Sequence, residues 1–287
     1  AGLEVPIRCQ DLAWPEFLSE DADYDTVICD PMDTINILFS SGTTGDPKAI
    51  PWDHTTPIKG AMDGYFHHDI RPGDVVAWPT NLGWMMGPWL IFASLVNKAS
   101  IALFYGTPAG EDFGRFVQDE KVTMLGLVPS LVKAWRNSGC MASLDWSSIR
   151  CFSSTGEASN ADDYLYLMYL AGYKPVIEYC GGTEIGGGFV TGTVVQPCSP
   201  ATFSTASLGM RLYVLDENGN PAQQGEIFIE DPSVGLSTKL LNRDHQDVYF
   251  TGCPNSPEGQ VLRRHGDQIE QFPNGYYRAH GRTDDTM

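Results

Sequence analysis

Serines, threonines, glycines and a lysine crowd into one stretch, Ser40-Ser41-Gly42-Thr43-Thr44-Gly45-Asp46-Pro47-Lys48, directly after the apolar run Ile37-Leu38-Phe39. Hydroxyls donate hydrogen bonds to phosphate oxygens, glycines let backbone N–H groups turn toward an anion, and a lysine adds a mobile cation. Ordinary turns use about two to five residues of this kind. This one is longer, and its inventory suits phosphate. It is not a Walker loop, because Gly-Lys-Ser/Thr is missing and Pro47 precedes the lysine. The plain alternative is a flexible polar turn with a solvated lysine, and it is the weaker reading for so long a stretch after an apolar strand. A second cluster sets Thr183 and Glu184 among glycines in "EYCGGTEIGG" (178–187). A hard carboxylate there suits Mg²⁺ shared with phosphate oxygens. Without Thr183 beside it, Glu184 would read as a solvated loop residue.

These residues need a frame to bring them together. Between residues 34 and 182 the chain alternates apolar runs (34–39, 74–80, 100–105, 122–128, 149–155 and 175–180) with stretches of helical length (53–68, 83–97, 111–120, 129–138 and 160–172). Pro129 opens one such stretch and Gly139 closes it, the usual helix punctuation. The alternation predicts an α/β fold, a doubly wound, mainly parallel sheet covered on both faces. Ligands bind such sheets beyond the carboxyl ends of the strands. After residue 207 the pattern changes. "MRLYVLDENGNPAQQGEIFIE" (210–230) reads as two alternating strands around an Asn218-Gly219 turn. The expected organisation is an α/β part over 1–207, a smaller β-rich subdomain over 208–280, and a short terminal segment, 281–287.

Composition narrows the function classes. The 287 residues carry 18 basic and 36 acidic side chains, a net charge of −18. That excess argues against nonspecific binding to nucleic acid or anionic membrane, which needs a basic footprint. Seven cysteines make an odd count without a CxxC pair, a pattern suited to a reducing compartment. The longest apolar stretch, 82–96, is too short for a membrane span and reads as a buried helix. An intracellular protein is expected, cytoplasmic or peroxisomal. His54, His67, His68 and His245 lack ligand-like spacing and read as surface or cap residues.

"SSGTTGDPK" resembles the phosphate-loop signature of the adenylate-forming superfamily, which includes acyl-CoA synthetases, peptide-synthetase adenylation domains and luciferases. Further motifs follow in the family's order and bring the chain nearest to the acetyl-CoA synthetase branch: "NLGWMMGPW" (81–89), "SSTGEAS" (153–159), "EYCGGTEIGG", "GEIFI" (225–229), "RRHGD" (263–267) and "GRTDD" (281–285). The resemblance implies ATP, Mg²⁺ and CoA as partners, with a small-molecule carboxylic acid as substrate. It implies that Ser40, Ser41, Gly42, Thr43, Thr44, Gly45 and Lys48 hold the ATP phosphates, with Thr183 on the α-phosphate and Glu184 on the metal. Lys48, Thr183 and Glu184 form the implied catalytic set. Gly156, Glu157 and Ala158 are expected against adenine, Asp267 on the ribose diol, Arg282 toward ribose or phosphate, and Asp284 at a hinge.

Trp84, Met85, Met86, Thr155 and Gly181 match acyl-pocket positions. Acetate-specific members carry a tryptophan where Gly181 stands, so an acid larger than acetate is expected. The resemblance also implies a fragment without the first lobe or the lysine-bearing C-terminal domain, turning over slowly or not at all. Two other readings stay open: an adenylation domain serving another acceptor, and a nucleotide-binding module without catalysis.

Overall fold

The computed structural model describes residues 14–18, 20, 21, 23, 25–40 and 47–282. Residues 1–30 and the chain from residue 31 onward form two compact units. The first contributes one described helical turn, α1 (Trp14–Phe17).

The second unit begins with β1 (Thr34–Ser40) and β2 (Lys48–Asp53), which pair antiparallel as a separate two-stranded sheet with Ser40 opposite Lys48. The sequence predicts a strand buried in the parallel sheet at 34–39, and the structure places a hairpin there instead. Alternate residues of a strand face opposite sides. Leu38 is buried beside Ile50, Trp52, Leu240 and Tyr249, while Ile37 and Phe39 are 46% and 62% exposed. The polar stretch therefore connects, in sequence, the two strand ends at Ser40 and Lys48. Residues 41–46 themselves lie outside the described residues.

The strand–helix alternation continues through α2 (Thr56–Phe66), β3 (Val75–Ala77), α3 (Met86–Leu95), β4 (Ser100–Ala102), α4 (Glu111–Asp119), β5 (Met124–Leu127), α5 (Pro129–Ser138), β6 (Cys151–Ser154), α6 (Ala161–Leu170) and β7 (Val176–Gly182). With β8 (Gly187–Thr191) and β9 (Thr205–Ala206) these strands form a seven-stranded sheet in the order β4-β3-β5-β6-β7-β8-β9. The first five strands run parallel, and β8 and β9 add antiparallel. Alternate strand residues feed two cores. Ala77, Leu125, Phe152 and Val176 pack with Phe113, Val132, Trp135 and Leu167 of α4, α5 and α6. Val76, Met124, Cys151 and Ile177 pack with Trp89, Leu90 and Ala93 of α3 on the other face. The doubly wound arrangement follows from this two-sided burial. Pro129 is at the first turn of α5, and Gly139 caps it with a left-handed φ of 69°.

Then β10 (Arg211–Leu215), β11 (Gln224–Glu230), α7 (His245–Tyr249), β12 (Arg263–Gln271) and β13 (Tyr277–Arg282) follow, the strands forming an antiparallel sheet in sequence order. Its inner residues Val214, Ile227, Ile229 and Ile269 share a core with Ile185, Phe189 and Val190 of the large sheet's far end. The Asn218-Gly219 turn is held by Asp216, whose Oδ1 accepts from the N–H groups of Asn218 and Asn220.

His67 and His68 correct the sequence reading, because both are buried rather than at the surface. His68 Nε2 lies 2.9 Å from Ser153 Oγ, and burial pushes its imidazole down to about 4. Its ring meets Trp89 and Tyr179 edge-on. His67 Nε2 accepts from the Leu208 N–H at 3.1 Å. Clustered aromatics can bury an imidazole that sequence spacing alone assigns to solvent.

Candidate functional site

The turn between β7 and β8 carries Thr183 and Glu184, and the hairpin strand β2 comes directly against it. Trp52 Nε1 donates to the Thr183 carbonyl at 2.7 Å. The Glu184 carbonyl accepts from the Ser237 N–H at 2.7 Å. Glu184 is only 6% exposed. Burial alone would raise its carboxyl, but His265, then Lys48 and Arg263, outweigh burial and bring it below the usual carboxylate value. It is therefore an anion held in place by cations. Lys48 and Glu184, more than a hundred residues apart in sequence, face one another electrostatically.

Tyr249 organises the cations. Lys48 Nζ lies 5.1 Å from its ring centroid, and the Arg263 guanidinium lies over the same ring at 4.2 Å. Arg263 is buried and donates to Ser237 O and Oγ, each at 2.8 Å. Ser40, at the other end of the polar stretch, has a buried Oγ without a hydrogen-bond partner among the described residues. That orphaned donor fits a ligand oxygen.

Beside this turn a cavity of about 510 Å³ opens at the carboxyl ends of β6 and β7. Thr155, Gly156, Glu157, Ala158, Gly181 and Asp267 all line it, although they come from three distant parts of the sequence. The Glu157 carboxylate accepts from Ser130 N and Oγ at 2.8 Å each, at the N-terminus of α5. Asp267, which also lines the cavity, stands in register with Arg282 of β13. Trp84, Met85 and Met86 do not line this cavity. Trp84 is 68% exposed, Met86 is buried among the core residues around Trp89, and Met85 packs between two core clusters. Ser41, Gly42, Thr43, Thr44, Gly45 and Asp284 lie outside the described residues.

Gly181 also acquires a second explanation. A Cβ there would lie 1.9 Å from the Gly187 carbonyl oxygen, so the close approach of β8 by itself demands glycine. At Gly182 a Cβ would come within 2.9 Å of Glu184 Oε2 and 3.0 Å of His265 Cε1. Glycine there leaves room for the Glu184 carboxylate and the His265 ring beside it. Among the described residues no group of three or more His, Cys, Asp or Glu side chains could hold a metal by itself. The donor set suits Mg²⁺, which takes one or two carboxylates and completes its shell with phosphate oxygens and water.

Sequence reasoning missed Glu178, His265, Arg263, Tyr249 and Trp52. Glu178 lines the cavity, is 6% exposed, and accepts from Ser159 Oγ at 2.7 and 2.9 Å. Burial pushes its carboxyl up to about 8, against a smaller opposing effect of Ser159. His265 and Arg263 stand within four residues of Asp267, so "RRHGD" held the signal. Tyr249 and Trp52 act from elements with no motif of their own.

Known proteins resemble this chain over most of its length. The family model described as "AMP-binding enzyme" matches residues 5–237. Hexanoyl-CoA synthase of Cannabis sativa is 55% identical over 100% of this chain, which corresponds to 41% of that protein. Probable acyl-activating enzyme 17, peroxisomal, of Arabidopsis thaliana is 54% identical over 100% of this chain and 41% of its own length. The solved acetoacetyl-CoA synthetase of Streptomyces lividans superposes with a TM-score of 0.77 at 28% identity, covering 88% of this chain and 40% of that one. The chain thus spans about two fifths of the length of the curated relatives it matches. No helix among the described residues is long and apolar enough to cross a membrane.

Proposed function

The chain belongs to the AMP-binding enzyme family, and we propose that it forms the nucleotide- and acid-holding part of an acid–thiol ligase. In this reading a carboxylic acid larger than acetate attacks the α-phosphorus of ATP through a carboxylate oxygen. The bond to pyrophosphate breaks, leaving an acyl-adenylate. The thiol of CoA then attacks the acyl carbon, and AMP departs with the bonding electrons. Bringing a carboxylate to a triphosphate is opposed by like charge. Lys48, the hydroxyls from Ser40 to Thr44 and the amides of Gly42 and Gly45 offset that repulsion, with Thr183 on the α-phosphate. Mg²⁺ at Glu184 would supply further neutralisation of the phosphate oxygens. Gly156, Glu157 and Ala158 take adenine, Asp267 accepts from the ribose diol, and Arg282 lies toward ribose or phosphate.

The observation that carries the reading is the convergence of Thr155–Ala158, Gly181 and Asp267 on one cavity beside the cation-held Glu184. The name of the cannabis relative, hexanoyl-CoA synthase, supports an acyl group longer than acetyl. The word "peroxisomal" in the Arabidopsis relative's name supports an intracellular setting.

The test uses two stable mimics of the acyl-adenylate, hexanoyl- and acetyl-sulfamoyl adenosine, titrated into the chain calorimetrically. At about 0.8 kcal/mol for each buried methylene, the hexanoyl mimic should bind at least about tenfold tighter. Tighter binding of the acetyl mimic would contradict the substrate reading, and binding of neither would contradict the function. A carrier-protein acceptor in place of CoA is distinguished by whether CoA or a pantetheinylated protein releases AMP.

A further inference from the structure

One side chain joins the two halves of the proposed site. His265 on β12 is 6% exposed, with its ring centroid 4.3 Å from that of Phe189. Nε2 lies 3.1 Å from Asp267 Oδ2, and Nδ1 lies 3.7 Å from Glu184 Oε1. His265 and Asp267 stand two apart in β12, where a register irregularity interrupts regular alternation. Glu226 pairs with Gln268 while Phe228 pairs with Arg264, so three residues bulge opposite one. Gly266, at the centre of the bulge with φ 92°, supplies the left-handed backbone that such a bend requires. The bulge aims His265 and Asp267 at one another, and Phe189 limits the ring's freedom to turn away from either carboxylate.

We propose that His265 is a positioning residue that couples the two ends of the nucleotide, so that metal at Glu184 and ribose at Asp267 are sensed at each other's site. The proposal rests on the nucleotide reading given above. A ring wedged between two carboxylates cannot follow one without changing its distance to the other. When Asp267 turns to accept from the ribose diol, the imidazole is drawn with it and its distance from Glu184 changes. By linkage the effect is reciprocal: metal at Glu184 alters how strongly Asp267 reads the diol.

The test measures that coupling by equilibrium dialysis of ATP and 2′,3′-dideoxy-ATP, each with and without Mg²⁺. The ratio of the two dissociation constants reports diol recognition. In the unmodified chain this ratio should change by about fivefold or more on adding Mg²⁺, the lower end of typical coupling between sites. In His265→Leu it should be the same with and without Mg²⁺ within about twofold. His265→Gln, whose single amide head reaches one carboxylate but not both, should lose the coupling in the same way. It keeps the test decisive if the leucine variant fails to fold, as judged by thermal unfolding. A ratio indifferent to Mg²⁺ in the unmodified chain, or still sensitive to it in a folded His265 variant, overturns the inference while leaving the function reading intact. Failure of the unmodified chain to bind either nucleotide overturns both.

Discussion

Replacing Glu178 by glutamine should change the shape of the stability–pH curve, not merely its height. The carboxyl is buried, and burial raises it from its usual 4.5 to about 8, with only Ser159 Oγ opposing. Below pH 4.5 the group is protonated in both folded and unfolded chains and contributes no slope. Between 4.5 and about 8 the unfolded chain releases a proton that the folded chain keeps. Stability therefore falls as pH rises, by about 1.4 kcal/mol per pH unit. Above about 8 both states are ionised and the whole cost, about 5 kcal/mol, is present. Integrated from pH 5 to pH 8, Glu178 removes about 3–4 kcal/mol, equivalent to roughly 10 °C in melting temperature for a chain of this size. Glutamine keeps the acceptor for Ser159 and has no proton to lose. Urea unfolding of both proteins across this range should give curves that nearly meet at pH 5 and diverge toward pH 8, with Glu178→Gln the more stable. Parallel curves would refute the reasoning and mean that water reaches the carboxyl.

Two further perturbations probe the frame around the site. Lys59→Met should destabilise by about 3–5 kcal/mol in urea unfolding, because it strands the buried Asp63 carboxylate that Lys59 Nζ now meets at 2.7 Å. Asp63 Oδ2 also accepts from Tyr179 and the Gly188 N–H, so the damage should reach β7 and β8 and weaken nucleotide binding in the same variant. Gly181→Ala should cost about 1–3 kcal/mol, since its Cβ would meet the Gly187 carbonyl at 1.9 Å. A melting temperature unchanged by that substitution would show that β8 yields without cost, and would restore pocket volume as the reason for glycine.

The sheet was legible because its strands feed two cores through alternate residues and its helices carry their own punctuation, as Pro129 and Gly139 do for α5. The stretch at 34–39 departs from expectation because an apolar run cannot distinguish a strand buried on both faces from a paired strand buried on one. The motif residues Thr155–Ala158 and Asp267 meet at one cavity. Trp84, Met85 and Met86 do not join them, because helix and loop packing, invisible to a motif, turns them to solvent or to the cores. Buried polar groups were the least legible. His68, Glu178 and His265 depend on partners far away in sequence, and nothing local marks a histidine or glutamate for burial.

The central claim is that Lys48 and Glu184 face one crevice and act together on the phosphates of ATP. Its most direct test is equilibrium binding of ATP and of adenosine, with and without Mg²⁺, to the unmodified chain, Lys48→Ala and Glu184→Gln. Mg²⁺ should tighten ATP binding to the unmodified chain and have no such effect on Glu184→Gln. Lys48→Ala should weaken ATP by about tenfold or more, as loss of a charged hydrogen-bonding partner does, while adenosine binding stays unchanged. If instead Mg²⁺ tightens ATP equally in all three proteins, or both substitutions weaken adenosine as much as ATP, the two residues do not meet at the phosphates.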